Sequence, residues 1–358
     1  MNRYLKISLL FLVLFALQFV YFDFKAFQNK DNLIEEHTSL RLEITALKEE
    51  ISSLHERLDV STRKSFVNSH QIPLPVEFCD DTLDYSNHTI RERIEREFYS
   101  LLNKQGQIQL YLKRTAKYEQ MIEQYLSESG LPDDLKYLAI HESALLPQIR
   151  SKSNAVGLWQ LMRSTARLYG LKINRYVDER RDPEKATRAA LRFISDLHRG
   201  YKSWPLVLAA YNGGQNRIKR EVKKQKSDSF FDLSLPEETE RYYFKIVATK
   251  VLLSQPETFG FHLQEEDLFK PISYEIVELE VDNRELSIEE LSDKYNLSLA
   301  EFKYLNPHLI NTYLPRGSYR IYIPQVNVTG NYSKNGESGE NSASRAYGGR
   351  NPKTSGSH

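Results

Sequence analysis

The chain has 358 residues, a length that allows two or three domains. Its 49 basic and 48 acidic side chains nearly cancel, so a nucleic-acid partner is not indicated, and its composition is that of an ordinary globular protein. The single cysteine, Cys79, excludes an internal disulfide and lies too far from the N-terminus to carry a lipid anchor. No cluster of Cys and His residues indicates a metal site, and we expect neither a metal nor a cofactor.

Residues 1–30 are expected to anchor the chain in a membrane. Arg3 and Lys6 precede an uncharged stretch from Ile7 to Phe22, which is slightly shorter than the roughly 20 residues of a usual spanning helix. The stretch ends in bulky side chains without a small-x-small cleavage site, which favours an uncleaved signal anchor with its basic end in the cytoplasm. A cleaved signal peptide is the alternative, and either would export the rest of the chain.

Residues 31–60 carry a heptad repeat that predicts a short coiled-coil stalk. Ile44 and Ile51 fall at a positions and Leu40, Leu47 and Leu54 at d positions, a choice that favours a parallel two-stranded coil and therefore a homodimer. The repeat consists of Leu40, Ile44, Leu47, Ile51, Leu54 and Leu58. Because short coils are marginal in water, a single amphipathic helix or a flexible stalk is the alternative. Residues 61–87 contain Ser, Asn and Pro with few periodic apolar residues, and they are interpreted as a linker.

Helical patterns dominate the middle of the chain. Two long ones lie between residues 88 and 129, and we assign them to packing. Three further helices are expected beyond residue 170, because N-cap, proline and glycine signals bound apolar periodic segments there. Their boundaries are marked by Asp182-Pro183, Trp204-Pro205, Gly213-Gly214 and the segment from Thr239 to Leu253.

Glu142 lies where a helical pattern predicts a buried carboxyl group. Leu135, Leu138 and Ala139 recur at helical spacing, and Glu142 occupies the next position on that apolar face. No Lys or Arg stands at a helical spacing that would neutralise its charge locally. Burial without a paired cation raises the pKa of a carboxyl group, which a general acid working near neutral pH requires. The alternative is an ordinary solvated Glu at a helix end.

Three short motifs follow Glu142 and Ser143 in a specific order and spacing. Gly157–Gln160 is a loop of small, aromatic and amide residues, and an apolar helix ends in Tyr211, Asn212 and two glycines. The last helix opens with Pro236, Glu238, Thr239 and Tyr242. Each motif alone is a weak indication of function, but their order after the Glu-Ser pair is specific.

With these motifs, residues from about 115 to 254 resemble the catalytic domain of family 1 lytic transglycosylases, which has a goose-type-lysozyme-like fold. The matching residues are Glu142, Ser143, Pro147, Ser151, Ala155, Gly157, Leu158, Trp159, Gln160, Met162, Thr165, Tyr169, Gly170, Tyr176–Pro183, Ala186, Thr187, Ala209–Asn212, Gly214, Arg217, Pro236, Glu238, Thr239 and Tyr242. The departures, at Leu145, Leu146, Asn154, Arg163 and Asn216, affect the shape of a glycan cleft. The resemblance implies an all-helical, lysozyme-like catalytic domain at residues 88–260, with its core at 115–254.

The resemblance also implies an activity on the bacterial cell wall. Such enzymes are carbon-oxygen lyases that cleave the β-1,4 bond between N-acetylmuramic acid and N-acetylglucosamine in peptidoglycan strands, without water, and leave 1,6-anhydromuramic ends. By the family pattern, Glu142 acts first as acid and then as base. The implied substrate-binding residues are Ser143, Gln160, Tyr211, Asn212 and Tyr242. The implied location is the inner membrane, with the catalytic domain in the periplasm, where it would serve cell-wall remodelling.

Residues 272–325 resemble a LysM module, a small β-α-α-β unit. Tyr274–Val281 alternates as a strand does, and the segments YLNPHL and GSYRIYIP carry the stronger match. The usual Gly-Asp-Thr before the first helix is replaced here by Asp282–Glu285. The resemblance implies binding to chains that contain N-acetylglucosamine, and a structural appendage without glycan affinity is the alternative. Residues 326–358, rich in Gly, Ser and Asn, are expected to be disordered.

Two other functions stay open at this point. A muramidase-type hydrolase on the same fold would use Glu142 with water and a second carboxylate, and Asp178, Glu179 and Asp182 are available in the chain. A non-catalytic, membrane-anchored scaffold would bind peptidoglycan through the LysM-like module, but an altered acid would be expected there and Glu142 is intact. The predicted architecture is mainly α, with an anchor and a coiled coil before the helical domain and a small α+β module after it.

Overall fold

The computed structural model describes residues 13–14, 16–23, 25, 39–54 and 71–325. The chain divides into two compact units, one made of residues 1–76 with 255–261 and the other of residues 77–254 with 262–358. All the predicted site residues lie in the second unit. The predicted tail at 326–358 lies outside the described residues.

In the first unit, residues 39–54 are helical, as the heptad pattern predicts. The repeat residues Leu40, Ile44, Leu47, Ile51 and Leu54 are all between 51% and 54% exposed. Their apolar stripe is therefore unburied in a single chain, and dimerisation stays a prediction. Leu58 and the other residues at 31–38 and 55–60 lie outside the described part of the coiled-coil segment.

The predicted anchor at 1–30 is described at residues 13–14, 16–23 and 25 only, where it is helical. Among the described residues, no helix combines the length and the apolar character that crossing a bilayer requires. Residues 1–12, 15, 24 and 26–30 lie outside the described part of this segment.

The second unit begins with a short hairpin in which β1 (Glu77–Phe78) pairs antiparallel with β2 (Asp81–Thr82). Phe78 and Cys79 are buried, and the backbone N–H of Cys79 donates to Oδ2 of Asp134 at 2.7 Å. The predicted linker at 61–87 therefore differs from the structure at its C-terminal end, which contributes to the core. A segment as short as this hairpin shows no hydrophobic periodicity, and the sequence pattern therefore did not predict that it packs into the core.

Eight helices of the described chain form the larger part of this unit. They are α1 (His88–Leu102), α2 (Gln105–Glu128), α3 (Lys136–Ser143), α4 (Arg163–Leu168), α5 (Pro183–Tyr201), α6 (Trp204–Gly213), α7 (Gln215–Gln225) and α8 (Glu237–Ser254). The expected helices are confirmed, with Asp182 as N-cap of α5, where its side chain accepts from the N–H of Lys185 at 3.0 Å. The structure is mainly helical, as predicted.

Helix α8 is the element on which the others converge. It packs against α1, α3 and α6, and most of its length is buried. The buried carboxylate of Glu97 on α1 accepts two hydrogen bonds from Arg241 on α8, at 2.7 and 3.0 Å. A buried carboxylate is costly unless it is paired, so this bidentate bond fixes the register of α1 against α8. Residues at the start of α8 are thereby held beside the end of α3.

The C-terminal residues form a β-α-α-β module. The long strands β3 (Tyr274–Val281) and β6 (Gly317–Pro324) pair antiparallel, and the short strands β4 (Leu286–Ser287) and β5 (Tyr313–Leu314) pair likewise. Between them lie α9 (Ile288–Lys294) and α10 (Leu299–Leu305), each started by a Ser-x-x-Glu capping box. The strand predicted at Tyr274–Val281 is confirmed, and the expected β-α-α-β order is present with the short strands β4 and β5 added on either side of the two helices.

The module packs against the loop that leads into α5. Val177 of this loop is part of the module's hydrophobic core. The backbone N–H of Asp178 donates to the carbonyl of His308 at 2.9 Å, and the N–H of Ile310 donates to the carbonyl of Tyr176 at 2.9 Å. The buried hydroxyl of Tyr322 donates to Oδ2 of Asp182 at 2.7 Å. One residue, Asp182, therefore both caps α5 and accepts a bond from the module.

Candidate active site

Glu142 is the penultimate residue of α3, and its side chain is half-buried. The face on which it lies is apolar as predicted, since Leu135, Leu138 and Ala139 are completely buried. The helix ends immediately afterwards because Ala144 and Leu145 adopt left-handed conformations, with φ of 50° and 55°. The carboxyl group therefore stands at the edge of the core, where it is largely removed from water and still open to a ligand.

Tyr242 on α8 donates its hydroxyl hydrogen to Oε1 of Glu142. Tyr242 is 3% exposed, so this bond is made inside the core. A hydrogen bond from a phenol favours the charged carboxylate and lowers its pKa. The bond holds the carboxyl group through Oε1, and among the described residues no hydrogen bond to its second oxygen, Oε2, is found.

The pKa of Glu142 is raised to about 7, from an ordinary value of 4.5, chiefly by burial. The Tyr242 hydrogen bond and the charge of Lys245 oppose the rise, whereas the negative charge of Glu238 adds to it. A carboxyl group with this pKa is populated in both protonation states near neutral pH. It can donate a proton in one step and take one back in the next.

The predicted loop Gly157–Gln160 is held against α3 and α5 by its own residues. Gly157 has φ of 87°, and a Cβ there would meet the carbonyl oxygen of Arg180 at 1.7 Å, so only glycine fits. The Trp159 ring is completely buried, and its Nε1 donates to Oγ1 of Thr187 at 2.8 Å. Trp159 therefore has a packing position rather than one in the open site.

Ser143 occupies a different environment from the predicted substrate-binding one. Its side chain is 3% exposed, and its hydroxyl is within bonding distance of the carbonyls of Leu158, at 2.8 Å, and Ala139, at 3.2 Å. Successive helical residues point in different directions, so Ser143 turns inward where its neighbour Glu142 faces the site. Ser143 therefore connects the loop to α3 through its hydrogen bond to the carbonyl of Leu158.

Gln160 follows in the loop with its side chain half-buried and its backbone at φ of 46°. Its Nε2 donates to the carbonyl of Gly157 at 2.9 Å and lies 3.4 Å from that of Ile149. Tyr211 at the end of α6 is also half-buried, and its hydroxyl donates to the carbonyl of Trp159 at 2.6 Å. Tyr211 thus ties α6 to the residue before Gln160.

Tyr211 and Asn212 lie near the acid through their common helix end. The pKa of Tyr211 is raised well above its usual value by burial and then by the negative charge of Glu142. Asn212 Oδ1 accepts from Oγ1 of Thr239 at 3.0 Å, and its Nδ2 lies 3.4 Å from Glu238. The structure therefore brings Glu142, Gln160, Tyr211, Asn212 and Tyr242 into one region, formed by α3, the loop, α6 and α8.

Comparison with known protein families identifies the part of the chain that contains most of these residues. Residues 120–233 match the family described as "Transglycosylase SLT domain". These residues are an SLT domain.

The chain is also similar to individual proteins. The chain is 34% identical over 181 residues to "Membrane-bound lytic murein transglycosylase D" of Escherichia coli, an alignment that covers 49% of this chain and 40% of the relative. It is 30% identical over 148 residues to "Peptidoglycan transglycosylase gp16" of Escherichia phage T7, covering 40% of this chain and 11% of the relative. The chain thus spans two fifths or less of the length of these relatives.

Among solved structures, the 70 kDa soluble lytic transglycosylase of Escherichia coli is similar over 43% of this chain and 27% of its own. The sequence identity is 20% and the TM-score is 0.32.

The carboxylates that the sequence offered as partners of Glu142 are occupied elsewhere in the SLT domain. Asp178 accepts from Nε and Nη2 of Arg180 at 2.9 and 2.7 Å. Glu179 accepts from Nζ of Lys185 and from the N–H of Lys172, at 2.5 and 2.6 Å. Asp182 caps α5 and accepts from the module, as described above. All three are structural, which leaves Glu238 as the acidic residue of the described chain whose charge acts on Glu142.

Two charged residues of α8, Glu238 and Lys245, act on Glu142 and were not among the predicted site residues. Glu238 belonged to one of the matching motifs, but the sequence did not show that its charge would act on Glu142. His141 is held neutral near pH 7, because burial and then the charge of Lys245 lower its pKa to about 4. Within the described residues, no group of three or more His, Cys, Asp or Glu side chains can hold a metal ion.

Proposed function

We propose that the chain is a peptidoglycan lytic transglycosylase that cleaves the β-1,4 bond between N-acetylmuramic acid and N-acetylglucosamine. The observation that carries this proposal is the state of Glu142 in an SLT domain. Its carboxyl group is partly buried, it accepts a bond from Tyr242, and its pKa is about 7. This is the behaviour that a reaction with one acid-base group requires.

The reaction begins with Glu142 protonated. Its proton passes to the glycosidic oxygen, the bond from that oxygen to C1 of the muramic sugar breaks, and positive charge develops at C1. The resulting carboxylate then takes the proton from the C6 hydroxyl of the same sugar while O6 bonds to C1. The product is a 1,6-anhydromuramic end, and Glu142 is again protonated, so that no water is consumed.

Gln160, Tyr211 and Asn212 are assigned to sugar binding in this proposal. Each is half-buried, and Tyr211 is close enough to Glu142 for the charge of that carboxylate to raise its pKa. The amides of Gln160 and Asn212 offer both donors and acceptors for hydroxyl and acetamido groups. Tyr242 orients the acid, and Ser143 holds the loop. Tyr242 and Ser143 thus take roles other than the predicted sugar binding, because each is only 3% exposed and bonds to the acid or to the loop instead.

A muramidase-type hydrolase is the second candidate, and Glu238 is the observation that favours it. Hydrolysis by a glycosidase uses a second carboxylate as base or nucleophile. Glu238 is exposed, and its charge acts on Glu142. The transglycosylase reaction needs no such group, so the fate of activity without Glu238 distinguishes the two.

The remaining segments complete a membrane-anchored enzyme in this proposal. Residues 1–30 would anchor the chain in the inner membrane with the SLT domain in the periplasm, and the exposed stripe at 39–54 would form a two-stranded coil. Residues 272–325 would bind glycan as a LysM-like module, which their β-α-α-β order supports. Pelleting with purified peptidoglycan and sedimentation of the purified chain test the last two assignments separately.

The test of the proposed function is mass spectrometry of the soluble products released from purified peptidoglycan, with Glu142→Gln as the control. Anhydromuropeptides from the wild type, and none from the variant, would establish the reaction and the acid together. Products with reducing ends would identify a muramidase. No products from a folded protein that binds the wall would favour a non-catalytic scaffold.

A further inference from the structure

A cavity of about 560 Å³ opens between α2, the segment that follows Glu142, and the C-terminal module. Its lining contains four cationic side chains, those of Arg114, Lys117, Arg181 and Lys303. No Asp or Glu belongs to this lining. We name this cavity the basic pocket. It lies apart from Gln160, Tyr211 and Asn212, none of which reaches it.

The cations of the basic pocket lack acidic partners. In the part of the chain that the structure describes, none of the four lies within ion-pair distance of a carboxylate, whereas Lys113, one turn before Lys117, pairs with Asp267 at 3.8 Å. Arg114 donates to the carbonyl of Ala144 at 3.3 Å, which is a neutral acceptor. The pocket therefore holds a concentration of positive charge that the protein itself does not neutralise.

Arg181 is the least satisfied of these groups. Its Nε is buried and has no hydrogen-bond partner among the described residues. Burial lowers the pKa of Arg181, and the neighbouring positive charge of Arg180 lowers it further, although Asp178 opposes this. Asp178 is already bound through both carboxylate oxygens by Arg180. An anion that entered the pocket would supply the partner that Arg181 lacks.

The walls of the basic pocket are apolar and aromatic. They include Leu146, Pro147, Phe269, Tyr304 and Ile310, of which Phe269 and Tyr304 are 43% and 60% exposed. The ammonium group of Lys117 lies 4.3 Å from the centre of the Tyr304 ring, so the positive charge is in direct contact with the aromatic wall. A ligand that fits must carry negative charge on a partly apolar framework, which describes a short acidic peptide better than an uncharged glycan.

The basic pocket is close to the acid along the chain. Leu145, which lines it, comes three residues after Glu142, so their Cα atoms are at most about 11 Å apart. An extended peptide of four residues reaches about 13 Å. The peptide stem of peptidoglycan is attached to the muramic sugar, so a stem of this length on a sugar held at Glu142 can span the distance from Glu142 to Leu145 in the pocket lining.

We propose that the basic pocket binds the carboxylates of the peptide stem that the muramic sugar carries. This inference rests on the proposed function, because it presumes that the muramic sugar is held at Glu142. It goes beyond that function by assigning a peptide-recognition site to Arg114, Lys117, Arg181 and Lys303. The C-terminal module supplies one of these cations, Lys303, so it takes part in recognition of the peptide.

Calorimetric titration of the full chain with a synthetic stem tetrapeptide tests the inference. We expect binding that weakens about tenfold in Lys117→Gln and again in Lys303→Gln, since each removes one charge-assisted contact. The same peptide with its carboxylates amidated is expected to bind at least tenfold more weakly. Lys224→Gln on α7 is the matched control, because Lys224 is exposed and does not line the pocket. Circular dichroism of each variant verifies that it is folded.

The titration separates this inference from the proposed function. Equal affinity for the free and amidated peptides, or equal weakening in Lys224→Gln, would overturn the assignment of the pocket. Release of anhydromuropeptides by a chain that does not bind the peptide would also overturn it, while the proposed function would stand. Charge-dependent peptide binding that both pocket variants weaken, in a chain that releases no anhydromuropeptides, would support the pocket and reject the function.

Discussion

The hydroxyl of Tyr242 donates to Oε1 of Glu142, although the two residues lie 100 positions apart in the chain. The bond joins the end of α3 to the core helix α8. The protonation of Glu142 therefore depends on how these two helices pack, and a change in α8 that leaves α3 untouched is expected to alter the pH dependence of the reaction.

Tyr242→Phe is expected to move the pH profile of activity to higher pH. The lost hydrogen bond favours the charged carboxylate, so its removal raises the pKa of Glu142 above about 7. The stability cost is about 1 kcal/mol, as for one hydrogen bond. The measurement is the rate of anhydromuropeptide release between pH 5 and 9. Tyr201→Phe, which removes a similar bond to the carbonyl of Gln215, is the control and should leave the profile in place.

Glu238→Gln is expected to move the same profile in the opposite direction. The negative charge of Glu238 raises the pKa of Glu142, so its removal lowers that pKa and the activity falls off at lower pH. The maximal rate should change less than tenfold, whereas Glu142→Gln should lose at least about a hundredfold. Glu237→Gln is the control, because it makes the same change of charge one residue away. Loss of all activity in Glu238→Gln alone would favour the hydrolase.

Ser143→Ala is expected to lower stability rather than substrate affinity. The variant removes the bond from the buried hydroxyl to the carbonyl of Leu158, at a cost of about 1–2 kcal/mol. Thermal unfolding measures this cost, and the KM for solubilised glycan strands measures binding. If Ser143 contacted the sugar instead, KM would rise while the unfolding temperature stayed the same.

The raised pKa of Glu142 makes a prediction about stability. Between pH 4.5 and about 7 the folded protein holds a proton that the unfolded chain has released, so this group makes the folded state less stable as the pH rises. Glu142→Gln should therefore gain stability relative to the wild type from pH 5 to pH 8, by up to about 3 kcal/mol. Denaturant unfolding at the two pH values measures the difference. An unchanged difference would mean that Glu142 titrates as an ordinary solvated carboxyl group.

Local patterns allowed much of the helical domain to be predicted. The apolar face that carries Glu142, the cap at Asp182 and the strand at Tyr274–Val281 follow from spacings within single elements, and the structure confirms them. Such spacings depend on the periodicity of helix or strand, which the chain displays directly.

Features that depend on distant parts of the chain were not predicted. The hairpin around Phe78, the inward turn of Ser143 and the effect of Glu238 on Glu142 arise from contacts between separate elements. Ser143 shows the limit most directly. Its place in a motif indicated that the residue matters, but only the position of the loop at Leu158 shows that its hydroxyl faces a backbone carbonyl.

The bond from Tyr322 to Asp182 links the folding of two parts of the chain. Asp182 is completely buried, and it starts α5 while it accepts the tyrosine hydroxyl. A protein shortened before Tyr274 would expose Val177 and leave one carboxylate oxygen of Asp182 without its partner in a partly apolar setting. The module and the helices are thus expected to behave as one cooperative unit, with a single calorimetric transition for both.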